Sequence, residues 1–399
     1  MAGTAWRYGI EALIGCGAAI IAVLKITIVQ GAFLPVPALL GGAVEKVWSA
    51  LGREFASRNH QVTHLSRQHP DLPTEETTDG VRHIRIPGFD TPASLIRLKL
   101  FDLIFTWRVL RRLPPADILV TNTFWLPLLA RDPSRGRVYV HVARYPKGQM
   151  RFYTRAARLQ TVSHAVADAI GRGAPNLADR VRVIPYPLII DTPSQTHSSI
   201  DVPREQQVLF VGRVHPEKGV HLLIEAFIAI PKESRVGWRL VIVGPSEVRL
   251  GGGGDEYAKQ LRTLAVPIAN HVDWVGAIFD TAKLDQIYRR ATIFTYPSLA
   301  ERGETFGLAP LEAMARGCVP LVSNLGCFHD FIEDHVNGVF FDHASDQPGQ
   351  KLAALLAKLM QDERQCAELG AGAMRKAEKH RIDRITSLFL DDFQSICES

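Results

Sequence analysis

Two loops in this sequence of 399 residues gather groups that can handle an anion. The first is Val208-Leu209-Phe210-Val211-Gly212-Arg213-Val214-His215-Pro216-Glu217-Lys218-Gly219, which sets Arg213 and Lys218 between an apolar run and Val220, Leu223, Ile224 and Phe227 at helical spacing. Cations placed between a strand and a helix N-terminus make an anion site, because free N–H groups and the helix dipole add to their charge. The plainer reading is of two solvated loop cations. The GxxxxGK[ST] spacing of a Walker loop is absent. The second loop runs from Glu301 through Glu304-Thr305-Phe306-Gly307-Leu308-Ala309-Pro310-Leu311-Glu312 to Gly317. Pro310 suits a first helical turn and Gly317 a helix stop, so Glu304 falls in a loop and Glu312 inside a helix. The N–H groups of Phe306, Gly307 and Leu308 are then left open. A carboxylate does not hold phosphate. Acids beside an anion site accept hydrogen bonds from sugar or ribose hydroxyls, or merely favour the helix N-terminus.

Two weaker signals lie earlier. Gly41-Gly42, followed by Glu45, would let backbone approach a ligand closely, although many turns carry two glycines. His141 closes the apolar run Val138-Tyr139-Val140 and could donate a hydrogen bond to a substrate from a strand end, or could simply be structural.

The elements that must position these groups alternate along the chain. Short β-branched runs at Ile26–Val29, Val62–Leu65, Ile118–Thr121, Val138–His141 and Leu159–Val162 are separated by longer helical patterns. The proline-rich, polar stretch from Val181 to Asp201 reads as a linker. A second alternation follows: strands at Val208–Val211, Leu240–Val243, Val272–Trp274, Ile293–Tyr296 and Val319–Val322, interleaved with helices. This pattern predicts two α/β domains with doubly wound parallel sheets, and ligands outside the carboxyl ends of the strands, in an interdomain cleft. The expected division is a hydrophobic extension over 1–24, a first domain over 25–190, a second over 200–375, and a C-terminal helix over 376–399 that crosses back to the first.

Composition sets outer limits. Hydrophobic residues at 46% and charged residues at 22% exclude a disordered or fibrous chain, and a net charge of +5 is only mildly basic. Five scattered cysteines (Cys16, Cys318, Cys327, Cys366 and Cys397) form no CxxC pair or zinc-type cluster, which suits a reducing, cytoplasmic setting. The apolar run Ala12–Leu24 is shorter than the roughly 20 residues that span a bilayer, and reads as an anchor, as a buried or interfacial helix, or as an extension before the functional start. Leu95 to Leu113 mixes Arg97, Lys99, Arg108, Arg111 and Arg112 with Leu, Ile, Phe and Trp107. It reads as a packed helix with a solvated basic edge, or as a peripheral contact with the inner face of an anionic membrane.

Taken together, the loops resemble the retaining glycosyltransferases of family GT4, which have the GT-B fold: two Rossmann-like domains facing across a cleft. The most specific match is E-x7-E, Glu304 to Glu312, in ETFGLAPLEAMARGCVPLVS, supported by VGRVHPEKGV and Gly41-Gly42, and the likeness runs over about residues 25–390. The resemblance implies that Arg213 and Lys218 hold the diphosphate of a nucleotide-sugar, that Glu304 meets the transferred sugar, and that Glu312 binds the ribose. It implies further that Phe306, Gly307 and Leu308 meet sugar and phosphates through backbone, that Gly41 and Gly42 approach the diphosphate, and that His141 contacts the donor sugar. The implied partners are a nucleotide-diphosphate-sugar co-substrate and a glycan or lipid-linked acceptor in polysaccharide or glycolipid assembly, with no metal and no nucleic acid. The chain departs from the family pattern at Tyr186-Pro187-Leu188-Ile189, where an Asn-Gly-Val-Asp turn is common, at Asp330, where Glu is common, and at Asn122, where His is common. A nucleotide-sugar 2-epimerase and a non-catalytic nucleotide-binding subunit are the alternatives of the same architecture.

Overall fold

The computed structural model describes residues 23–92, 94–189 and 204–398. The readings of residues 1–22, Cys16 among them, and of 190–203 in the linker lie outside the described residues.

The first unit contains β1 (Lys25–Val29), α1 (Ala43–Ser57), β2 (Gln61–Arg67), β3 (Glu75–Thr78), β4 (Val81–Ile86), α2 (Leu95–Leu110), β5 (Ile118–Thr121), α3 (Leu126–Leu129), β6 (Arg137–Val142), β7 (Arg158–Thr161), α4 (His164–Gly173) and β8 (Val181–Val183). Its strands form one sheet in the order 3-4-2-1-5-6-7-8, parallel except where β3 meets β4. The second unit contains β9 (Glu205–Val211), α5 (Val220–Ala229), β10 (Arg239–Val243), α6 (Gly254–Leu264), β11 (Val272–Gly276), α7 (Thr281–Arg290), β12 (Ala291–Tyr296), α8 (Leu308–Ala315), β13 (Val319–Ser323), β14 (Val339–Phe341), α9 (Pro348–Gln361) and α10 (Glu363–Ala377). Its sheet is wholly parallel, in the order 11-10-9-12-13-14.

Both sheets bury both faces, which is why their central strands read as unbroken apolar runs: Ile118–Thr121 and Val319–Ser323 are buried at every residue. Two elements correct the sequence reading. Val181–Val183, read as the start of the linker, is an edge strand paired with β7. The hairpin of β3 and β4, joined at Asp79-Gly80, extends the opposite edge.

In each sheet the strand order reverses at one place, between β1 and β5 in the first and between β9 and β12 in the second. Loops at such switch points leave a crevice outside the strand ends. The loop after β1 carries Gly41-Gly42, the loop after β9 carries Arg213 and Lys218, and the loop after β12 carries Glu304. Topology therefore brings the two chemically loaded loops of the second unit to one crevice and gives the first unit a glycine loop at its own.

The last helix, α11 (Ile382–Glu398), belongs by packing to the first unit. Phe389 meets Trp48 and Phe55 of α1, at ring separations of 5.2 and 6.4 Å, and Phe393 stands perpendicular to Tyr139 at 4.9 Å. The Tyr139 hydroxyl donates to Asp392 Oδ2 at 2.9 Å, and Arg158 pairs with the same carboxylate at 2.8 Å.

Candidate active site

Lys218 ends a 3-10 turn (Pro216–Lys218) and is held there by Gly219, whose φ of +66° starts α5. Its Nζ donates to Glu304 Oε2 at 2.6 Å, and both side chains are nearly buried, at 7% and 11% exposure. Ser298 Oγ lies between Glu304 Oε2 (3.2 Å) and Glu217 O (3.3 Å), and Leu299 N–H donates to Glu217 O, so the two loops are stitched together around the ion pair. The Tyr296 ring lies 5.5 Å from Lys218 Nζ, and burial beside the Glu304 charge pushes its hydroxyl pKa far up. Immediately beyond, no acceptor among the described residues takes the N–H groups of Phe306, Gly307 and Leu308, the open N-terminus of α8. The Phe306 ring itself is buried against Tyr186 and Phe331.

Arg213 shares this loop but is half exposed. It donates to Glu217 Oε1 at 2.6 Å and to Gly251 O at 2.8 Å. Glu312, within α8, accepts from Tyr288 at 3.2 Å and from Lys46 Nζ at 3.3 Å. Because Lys46 sits on α1, that contact crosses from one unit to the other. Thr305 Oγ1 crosses likewise to Ala143 O at 3.1 Å, and Asp330 accepts the first N–H of α4, from His164, at 2.8 Å.

On the first unit, Gly41 and Gly42 lead into α1, and Glu45 folds back on Gly42: a Cβ there would come within 2.2 Å of Glu45 Oε2. Burial raises the Glu45 pKa, and nearby Arg144 only partly offsets it.

His141 lies inside its strand rather than at the end of it. Strand β6 continues past it to Val142, and the His141 ring is 3% exposed, set against Trp48 of α1 and against Tyr186, whose own ring meets Phe306. Gln160 gives both amide hydrogens to the carbonyls of Thr161 and Ile184, so its Oε1 takes the His141 Nδ1 hydrogen at 2.6 Å. Nε2 is then the acceptor of the Tyr186 hydroxyl at 3.1 Å. Burial holds the imidazole pKa down to about 4. His141 is neutral, and both of its ring nitrogens are engaged within the first unit.

The structure thus gathers Arg213, Lys218, Glu304, Glu312 and the start of α8, and brings α1 up to them through Lys46. Sequence reasoning missed Lys46, Arg144, Tyr288 and Ser298. Lys46 follows Glu45 directly, but nothing local marks a partner 266 positions away.

Residues 42–187 match the family described as "Glycosyl transferase 4-like domain", and residues 195–376 match "Glycosyl transferases group 1". With two Rossmann-like units facing each other, that decides the matter. The chain is a glycosyltransferase of the GT4 type with the GT-B fold. This glycosyltransferase is 24% identical over 348 residues to the putative glycosyltransferase YtcC of Bacillus subtilis, covering 80% of this chain and 79% of that protein. It is 24% identical to spore coat protein SA of the same organism, over 90% of this chain and 95% of the other. Its fold matches sucrose-phosphate synthase from Thermosynechococcus elongatus with a TM-score of 0.75 at 18% identity, covering 93% of this chain and 99% of that one. It also matches the Anabaena protein HepE, solved with UDP-glucose, with a TM-score of 0.69 at 18% identity over 93% and 100% of the two chains.

Proposed function

We propose that this glycosyltransferase moves a sugar from a nucleoside diphosphate sugar to a hydroxyl of a glycan or lipid-linked acceptor, with retention of the anomeric configuration. The observation that carries the reading is the buried Lys218–Glu304 pair beside the open N-terminus of α8, with Arg213 on the same loop. Breaking the anomeric C–O bond builds charge on the departing diphosphate and leaves an electron-poor sugar. Fixed cations and helix N–H groups stabilise the first. Without a ligand, Lys218 is neutralised by Glu304. A diphosphate gives Lys218 a second anion and releases Glu304 to face the sugar. Glu312, one turn further along α8, takes the ribose hydroxyls when Lys46 withdraws. Gly41 and Gly42 close over the diphosphate from the other side. HepE, solved with UDP and with UDP-glucose, makes the uridine donors the first to try.

The test is thermal shift of the purified protein against UDP, GDP, ADP and CMP, then the matching sugar conjugates. A ligand at 100 times its Kd adds about 2.7 kcal/mol of stability. A shift with one diphosphate, lost in Arg213→Ala, supports the reading and opens an acceptor screen in which NMR reads the product anomer. A shift with none of them, or an inverted product, overturns it. Because Arg213 and Lys218 supply the positive charge, turnover is expected to survive EDTA. Loss of activity that a divalent cation restores would overturn that part.

A further inference from the structure

Helix α2 is apolar on the side that it turns to solvent. Its inward side is ordinary: Phe105, Thr106 and Val109 are buried, and Asp102 accepts the N–H groups of Phe124 and Trp125. On the opposite side Ile96 is 82% exposed, Leu100 51% and Trp107 52%, with Leu103 between them. The spacing i, i+4, i+7, i+11 puts these four on one stripe, about 16 Å long at 1.5 Å per residue. Leu95, at the start of the helix, is 70% exposed. A helix apolar on both sides is normally buried on both. Here no described residue covers the outer stripe.

Its borders carry one sign of charge. Arg97 and Lys99 flank the stripe and are exposed, and Arg111 lies over the Trp107 ring, 3.2 Å from its centre. Asp102 is the one acid within Leu95–Arg112, and it faces inward. The acids nearest in sequence and pairing are occupied: Asp90 by Arg67, and Glu75 by Arg82 and Arg112. The surface continues through Lys99, which lies over the Phe124 ring, to the neighbouring turn, where Phe152 is 53% exposed beneath Arg151. Tyr153 of that turn donates to Phe124 O.

We propose that this face of α2 docks on an anionic lipid bilayer. An apolar stripe with a terminal tryptophan and a basic border matches the boundary between acyl chains and acidic headgroups. A protein partner or a second copy would need neither the one-signed border nor the tryptophan at the rim. Since α2 follows β4, its first turn stands at the carboxyl edge of the sheet, the edge that also carries Gly41-Gly42. The membrane would therefore lie beside the mouth of the cleft.

The test is flotation of the full chain with phosphatidylglycerol–phosphatidylcholine vesicles and with phosphatidylcholine alone. The wild type is expected to float with the first and not the second. Ile96→Glu/Leu100→Glu, two exposed positions, is expected to lower partitioning at least tenfold, with the thermal midpoint unchanged. Three results would overturn the proposal: no flotation of the wild type, equal flotation of the double variant, which would assign binding to residues outside α2, or a dimer in solution that the double variant dissolves while vesicle binding persists. None of them touches the transfer reading, whose test uses no lipid.

Discussion

Arg213 and Lys218 sit on one loop with the same charge, yet they fail differently when removed. Arg213 is paired at the surface, where an ion pair contributes about 0–1 kcal/mol. Arg213→Ala is expected to lower turnover on the order of 100–1000-fold while leaving the urea midpoint almost unmoved. Lys218→Met strands Glu304 in a buried site, which costs roughly 3–5 kcal/mol, so stability and turnover are expected to fall together. A Lys218→Met protein with wild-type stability would show that the pair is not buried in solution. These two cations and the Glu304/Glu312 pair were legible because each group lies in one short segment whose own pattern sets its place. The partners of His141 were not legible, since Gln160 and Tyr186, which engage its two ring nitrogens, lie 19 and 45 positions away. The Lys46–Glu312 contact was illegible because only the completed fold makes it.

At the scale of elements, the junction between β9 and α5 has no room to change. A Cβ on Gly219 would lie 1.9 Å from Pro297 O, a backbone atom at the end of β12, and φ there is +66°. Gly219→Ala is expected to destabilise by roughly 2–4 kcal/mol and to displace Lys218, its immediate neighbour, so that activity falls beyond what lost stability explains. Urea denaturation read alongside donor binding checks both halves. Most buried strands were visible as apolar runs. β3 was not, since Glu75–Thr78 is a polar edge strand with no apolar alternation to detect. β8 was hidden because its three residues adjoin the prolines that mark a linker. The C-terminal helix carries its own signal: Ile385, Phe389 and Phe393, at spacings of four in the sequence, are all buried.

The whole molecule carries an acid sensitivity in its histidines. Burial, together with His83 and Arg85, holds the pKa of His64 down to about 3, and burial holds His141 and His380 at about 4. The unfolded chain takes up protons at these groups below its ordinary pKa of about 6.5, and the folded chain does not. Stability is therefore full above about pH 6.5 and falls as the pH drops toward 4. Asp102 works in the opposite sense, since its carboxyl is pushed up to about 6 by burial and gains stability on protonation. His64→Leu removes one histidine from the balance. Its loss of stability between pH 7 and pH 5 is expected to be smaller than the wild type's by roughly 2 kcal/mol, at 1.36 kcal/mol per pH unit. Chemical denaturation at both pH values measures the difference, and identical slopes would exclude His64 as a contributor. The helix that completes the first unit bears on how the protein is made. Tyr139 and its partner Asp392 are 253 positions apart, and Trp48 and Phe55 wait on the same segment for their cover. During synthesis the second unit leaves the ribosome in full before that cover arrives. The half that is translated first is thus the last to be finished, and it is the nascent half that chaperones and proteases meet with its aromatic layer bare.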